Sequence, residues 1–406
     1  MSLYRLIYKK VVIFVIVKNR EAEEPSKIWN RAFVSVFIAN ALMFLGQQMM
    51  NTLVSKYANY LGTAPSMVGF IASSFAYTAL LFKLFAAPAI DTFNKKYILT
   101  GALLVMAVAF FGYSVSANTT MLLFSRLLQG AGQAFTATCC LALASDALPR
   151  EKLGQGIAYF SLAQASCQAF GPGIGLYLSR TMGYRTTFAV GASIMVCASI
   201  AALNIKNKHV KRDKKFRISF RNLIAVEALI PAVLAFFFAM TNYNINAFLA
   251  IFGEERGCGE TIGYFFTVYA LVMLISRPLI GKLSDQYGFV KVLLPSMVCF
   301  AGAFLIISIS SNIWMFLLAA AVSAFGYGAC HPAVQALCMK CVPVEKRGAG
   351  STTNYIGQDL GNLVGPVIAG FVIQSVGYEM MWRVMIIPVL IAMLIVIVNR
   401  QKIESL

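Results

Sequence analysis

GYFFTVYALVMLISRPLIGKLSD, residues 263–285, varies a theme already heard in GFIASSFAYTALLFKLFAAPAID, residues 69–91. The offset between them is 194 residues, and it holds without a gap from Gly69 and Gly263 through Lys83 and Arg277, Asp91 and Asp285, and Pro149 and Pro343. It continues through Glu151 and Glu345, Gly154 and Gly348, Gly171–Pro172 and Gly365–Pro366, to Gly183–Tyr184 and Gly377–Tyr378. Each copy spans about half the chain and each is strongly apolar. Paired halves of membrane-crossing helices are a common plan of secondary transporters, with the substrate held between them.

The composition bounds the class. Of 406 residues 59% are hydrophobic and 12% charged, and the mean hydropathy is +0.73. A soluble domain carries about 25% charged residues. Apolar stretches of roughly 20 residues, each able to cross a bilayer as a helix, recur along the chain, and the ten-residue alternation of a β-barrel is absent. Twelve spans are predicted, near 32–54, 65–86, 97–117, 119–144, 154–177, 186–204, 223–250, 261–281, 290–311, 313–339, 348–373 and 382–399. The expected organisation is a cytoplasmic extension (1–30), a six-helix bundle (31–204), a basic linker (205–222), a second six-helix bundle (223–399) and a tail (400–406). The short apolar run Val11 to Val17 reads as interfacial or disordered, and no cleavable signal peptide is evident.

The net charge of +18 is a matter of placement. Twenty-eight of the 34 Lys and Arg fall in the termini, in the loops after spans 2, 4, 6, 8 and 10, or at the span ends that border those loops. Lys56, Arg180, Arg185, Arg256 and Arg383 lie on the opposite side, and Arg126 lies within a span. That bias places both termini in the cytoplasm of a cell-membrane protein and assigns the basic charge to anionic lipid headgroups, with no call for nucleic acid. The nine cysteines form no disulfide framework, and the CxxC of Cys338 and Cys341 has no second pair to make a zinc site.

Polar side chains in hydrocarbon must turn toward protein or water. Span 1 carries Asn40, Phe44, Gln47 and Asn51; span 4 carries Arg126, Gln129 and Gln133; span 5 carries Gln164; span 7 carries Asn242 and Tyr243. Span 10 carries Tyr327, His331 and Gln335, and span 11 carries Tyr355, Gln358 and Asp359. Residues three or four apart share a helix face, so these stripes outline a substrate cavity, with helix–helix packing as the alternative use. Spans 3, 6, 9 and 12 lack stripes and are expected to face lipid. Three embedded ionisable groups are candidates for proton coupling. Asp359, about eleven residues into its span and so ~16 Å deep, would exchange a proton or serve as a structural acid. His331 titrates near physiological pH or satisfies carbonyls freed by Pro332. Arg126 stays charged and requires a partner, an anionic ligand or a fixed network.

The loop Gly281-Lys282-Leu283-Ser284-Asp285-Gln286-Tyr287-Gly288 resembles the signature loop of the major facilitator superfamily, G-x-L-x-D-x-x-G. The first copy, Ala87 to Lys96, keeps Asp91 and the basic pair but replaces both glycines, leaving Asn94 as the residue best suited to a left-handed backbone. Arg126-Leu127-Leu128-Gln129-Gly130-Ala131-Gly132 is similar to the family's R-x-x-Q-G-x-G motif, whose Arg the resemblance links to proton coupling. Gly171-Pro172 in span 5 and Gly361, Gly365-Pro366 and Gly370 in span 11 resemble the glycine-proline motif of its drug–proton antiporters, with Cys167 in place of one glycine.

The resemblance implies an all-α integral membrane fold of twelve helices in two pseudo-symmetric bundles. It also implies that Asp91 and Asp285 bridge the halves near Gly348 and Gly154. With Lys83, Arg277, Gly171, Pro172, Gly365 and Pro366 they form the expected gating set. The function expected is proton-coupled efflux of a small organic molecule by alternating access. The alternatives are proton-coupled uptake of a polar or anionic metabolite and a non-transporting sensor. Expected partners are a small-molecule substrate, protons and membrane lipid, with the chain a monomer. No phosphate-binding loop, metal cluster or nucleophile–His–acid set points to an enzyme or a cofactor.

Overall fold

A computed structural model describes residues 28–149, 153–205, 225–343 and 347–404. Backbone groups in hydrocarbon must bond within their own segment, so the apolar runs form helices. Among the described residues there is no strand. The first half comprises α1 (Arg31–Tyr60), α2 (Pro65–Thr92), α3 (Lys95–Val115), α4 (Thr119–Ala147), α5 (Leu153–Thr181) and α6 (Gly183–Leu203). The second comprises α7 (Leu229–Glu255), α8 (Gly263–Tyr287), α9 (Phe289–Ile309), α10 (Ile313–Cys341), α11 (Arg347–Val384, interrupted at Gly377) and α12 (Ile386–Val398).

The repeat is written into the helix ends. α3 and α9 begin and end 194 residues apart, as do α4 and α10. Asn118 caps α4 by accepting from the Met121 amide at 2.9 Å, and its repeat mate Asn312 caps α10 by accepting from Met315 at 3.1 Å. Gly183 and Gly377 both take positive φ, 79° and 83°, where the last helix of each half turns away from its predecessor. Asn94 departs from expectation. Its backbone is extended (φ −70°), and its side chain caps α3 by accepting from the Lys96 amide, whereas Gly288 at the matching place is left-handed (φ 88°). A capping side chain here replaces the turn that glycine makes there.

Nine helical runs among the described residues are long and apolar enough to cross a membrane. One of them, Thr352–Val398, is 47 residues long and contains both final spans, divided by the Gly377 break. Gly263–Ser276 is a shorter apolar helix, and the amide-bearing α5 is 29 residues long. α3, α6, α9 and α12 turn large apolar side chains outward, including Phe111, Ile200, Leu305 and Leu394. α3 is not wholly apolar inward, however: Tyr113 is fully buried and donates to Gln129.

The halves meet along α2 with α11, α5 with α8, and α1 with α7. The end bearing the α1–α2, α3–α4 and α5–α6 connections is called outer, after the charge bias. Toward that end a Cβ on Gly69 would fall 2.0 Å from the Pro366 carbonyl oxygen, and one on Gly370 2.5 Å from that of Pro65. The symmetric crossing of α5 and α8 places Gly173 against Gly263, with 3.3 Å from a Gly263 Cβ to the Gly173 Cα. Backbones touch only because no side chain intervenes. Gly171 and Gly365 act within their own halves: Gly171 lies against Gln48 of α1 and Gly365 against the Met240 carbonyl of α7. Of the glycine-proline residues assigned to gating, Pro366 is the one whose backbone meets the other half at Gly69; Pro172 is buried in α5.

Candidate functional site

Arg126 is fully buried in α4. Its Nη1 donates to Gln129 Oε1 at 2.8 Å, and its Nη2 lies 3.2 Å from each of Asn51 Oδ1, the Ala72 carbonyl and the Tyr243 hydroxyl. The guanidinium sits over the Phe75 ring at 4.6 Å, a cation–π contact. Tyr113 donates to the same Gln129 oxygen at 2.5 Å. Tyr243 belongs to the second half, so this first-half cation is tied across the interface. The Phe75 and Tyr243 rings also meet at a tilt, their centroids 5.7 Å apart, with Ala76 and Leu363 beside them.

The second polar centre is the ion pair between Lys83 Nζ of α2 and Asp359 Oδ2 of α11. It too crosses between halves, over 276 residues of sequence. The carboxylate side chain is 19% exposed and the lysine 38%, so the pair is reachable, unlike Arg126. One residue before Asp359, Gln358 Nε2 meets His331 Nε2 at 3.1 Å, and His331 lies 5.5 Å from the Tyr327 ring. Gln335 donates to the Tyr355 hydroxyl at 3.4 Å. Lys83 of α2 thus meets α11 at Asp359, and the His331–Gln358 and Gln335–Tyr355 contacts join α10 to the same helix.

The remaining predicted side chains divide. Asn40, Asn51 and Gln129 are buried within first-half packing, and Asn40 accepts from Gln164 at 3.2 Å. Phe44 packs against the apolar core, and Asn242 accepts from Tyr269 at 3.2 Å. Gln47, Gln133, Gln164, Tyr327, Gln335 and Gln358 are half-buried, and Tyr355 is exposed. The gating side chains of Asp91, Arg277 and Asp285 lie outside the described residues, as do the extension up to residue 27 and the linker from residue 206. All nine cysteines are free thiols.

Sequence reasoning overlooked three partners. Tyr113 sits in a span without a polar stripe, so nothing marked it. Lys83 stood out in the repeat, but its reach to Asp359 depends on helix rotation. Lys56, almost wholly buried near the outer end of α1, pairs with Glu254 of α7 at 3.1 Å, a third inter-half contact. Nearby, Arg256 pairs with Glu379 beside a cavity of about 770 Å³ that Arg383 also lines, remote from the embedded charges.

Comparison with known proteins agrees with this architecture. Residues 36–231 and 231–405 each match the profile of the Major Facilitator Superfamily. The chain is 24% identical to multidrug resistance protein 1 of Bacillus subtilis, over 89% of this chain and 94% of that one. It is 25% identical to the multi-drug resistance efflux pump PmrA of Streptococcus pneumoniae, over 80% and 84%. Among solved structures, a POT family transporter superposes with a TM-score of 0.80 at 12% identity, covering 94% of this chain and 99% of that one. A bacterial homologue of the lysosomal transporter Spinster, in an inward-facing and unoccupied conformation, gives 0.71 at 15% identity, over 94% and 98%. With both halves matched and the all-helical two-half architecture in place, the chain belongs to the Major Facilitator Superfamily and is a membrane transporter, not an enzyme.

Proposed function

We propose that this protein exports small organic molecules in exchange for protons, by alternating access, from a cell membrane with both termini in the cytoplasm. The observation that carries the reading is the Lys83–Asp359 pair, a reachable acid that is held, among the described residues, by a cation from the other half. A proton on Asp359 removes the charge that holds Lys83 Nζ, and the freed ammonium turns to water. The link between α2 and α11 is then lost, and the balance between rocked states shifts by differential protonation. In the form described above the pair is made and the outer ends are joined at Gly69–Pro366 and Lys56–Glu254. That is the arrangement expected once the proton has been released inside and the half-buried amides await a substrate. The names of the multidrug relatives support export.

The reading is tested by counterflow in proteoliposomes across a panel of organic compounds, with and without a pH gradient. Outward solute flux accelerated by an inward proton gradient is expected. Facilitated flux that ignores the gradient would remove the proton from the account. Uptake of an anionic metabolite is the second reading, favoured by the lack of an acid beside Arg126 among the described residues, and it would appear as solute accumulation driven by the same gradient.

A further inference from the structure

Every acceptor around the Arg126 guanidinium is neutral: two amide oxygens, one carbonyl and one phenol. Among the described residues no carboxylate pairs with it, and the one deep acid, Asp359, is held by Lys83. Burying a guanidinium is costly, and a partner of opposite sign with well-made hydrogen bonds offsets that cost best. Neutral acceptors and the Phe75 face offset only part of it.

Two donors beside this charge are unspent. Arg126 Nε and Gln129 Nε2 are buried and meet no acceptor among the described residues. The orientation of the amide is determined by its bonds, because Gln129 Oε1 accepts from both Arg126 and Tyr113, which leaves the NH2 group without an acceptor among the described residues. On α1 beside Asn51, the buried hydroxyls of Thr52 and Ser55 also lack partners. Donors without acceptors, next to a cation without an anion, call for a negatively charged acceptor. The matching place in the second half differs: Arg126, Gln129, Tyr113 and Asn51 are there Ala320, Ser323, Ile307 and Ile245, all buried. The feature is therefore not repeated in the second half.

We propose that the buried polar cluster around Arg126 binds one small monovalent anion, held by Arg126 Nε and Gln129 Nε2. The anion is a free halide or the carboxylate of a transported compound. Tyr243 and Phe75 cover the second-half side, so entry requires the halves to part. The proposal is independent of proton coupling and is read out by binding.

The test is thermal unfolding of the purified full chain in lipid nanodiscs, with sodium isethionate exchanged for chloride, bromide or benzoate at constant ionic strength. The wild type should show a saturable rise in midpoint. Gln129→Glu places a carboxylate where Nε2 stood, so it should raise the midpoint in isethionate and abolish the response to added anion. A response to halides and benzoate alike identifies a free ion as sufficient; a response to benzoate alone identifies the anion as part of a substrate. Equal midpoints in all salts, or a response that survives in Gln129→Glu, would overturn the proposal. Should that variant not fold, equilibrium dialysis of radiolabelled chloride and benzoate against the wild type decides. Saturation of either at one per chain supports the site, and saturation of neither refutes it.

Discussion

The two halves share a backbone and divide the chemistry. The first half buries Arg126 among Gln129, Tyr113 and Asn51, and the second has Ala320, Ser323, Ile307 and Ile245 at those places. The second half carries Asp359 and His331, where the first has Ala165 and Ala137. Each charged group then reaches across the interface: Arg126 to Tyr243, and Asp359 to Lys83. Duplication supplies a symmetric scaffold, and divergence at a few buried positions puts a fixed cation on one side and a titratable acid on the other. On the proposed reading, one proton on Asp359 would break its link to Lys83.

The asymmetry extends to the crossing points, where it can be broken by mutation. Gly69→Ala drives a methyl into a backbone oxygen at 2.0 Å, so the outer ends should fail to close and transport should fall more than tenfold. Overpacking of this kind costs about 1–3 kcal/mol in the closed form. The mirror change Gly263→Ala meets a backbone atom at 3.3 Å and should cost much less. Accessibility of cysteines introduced at the outer end, measured in both variants, checks the order; equal effects would erase the distinction.

Lys83→Met should lower gradient-driven flux about tenfold while Lys83→Arg retains most of it, because any cation on α2 that reaches Asp359 can serve the pair. Flux in proteoliposomes distinguishes the two, and equal losses would mean that lysine is needed for its shape. Tyr243→Phe removes one of four neutral acceptors from Arg126 and should cost about 1 kcal/mol in thermal unfolding. Smallest of all, Gly302→Ala adds a methyl where no atom lies within 4 Å, and should stabilise α9 by about 0.5–1 kcal/mol.

Much of this was legible in the chain. The expected spans 97–117 and 290–311 overlie α3 and α9, and the repeat pairs Gly183–Tyr184 and Gly377–Tyr378 fall at the two breaks, whereas the caps Asn118 and Asn312 obey the same offset but nothing in the chain singled them out. What escaped was pairing. Hydropathy does not set the rotation of a helix about its axis, so Lys83 and Asp359 were each conspicuous without being visibly partners. Tyr113 carries too little polarity to mark a stripe. Asn94 drew attention as a stand-in for glycine, but a short amide side chain serves a helix cap as readily as a left-handed turn, and here the cap prevails.

The account rests on Asp359 carrying the proton that breaks the tie between the halves. The most direct measurement compares wild type and Asp359→Asn in the same proteoliposomes, under solute counterflow and under an imposed proton gradient. The account predicts that counterflow persists within about twofold while the gradient-driven component falls ~100-fold, the scale at which a proton-transfer group acts. Gradient-driven transport at the wild-type rate in Asp359→Asn would contradict it.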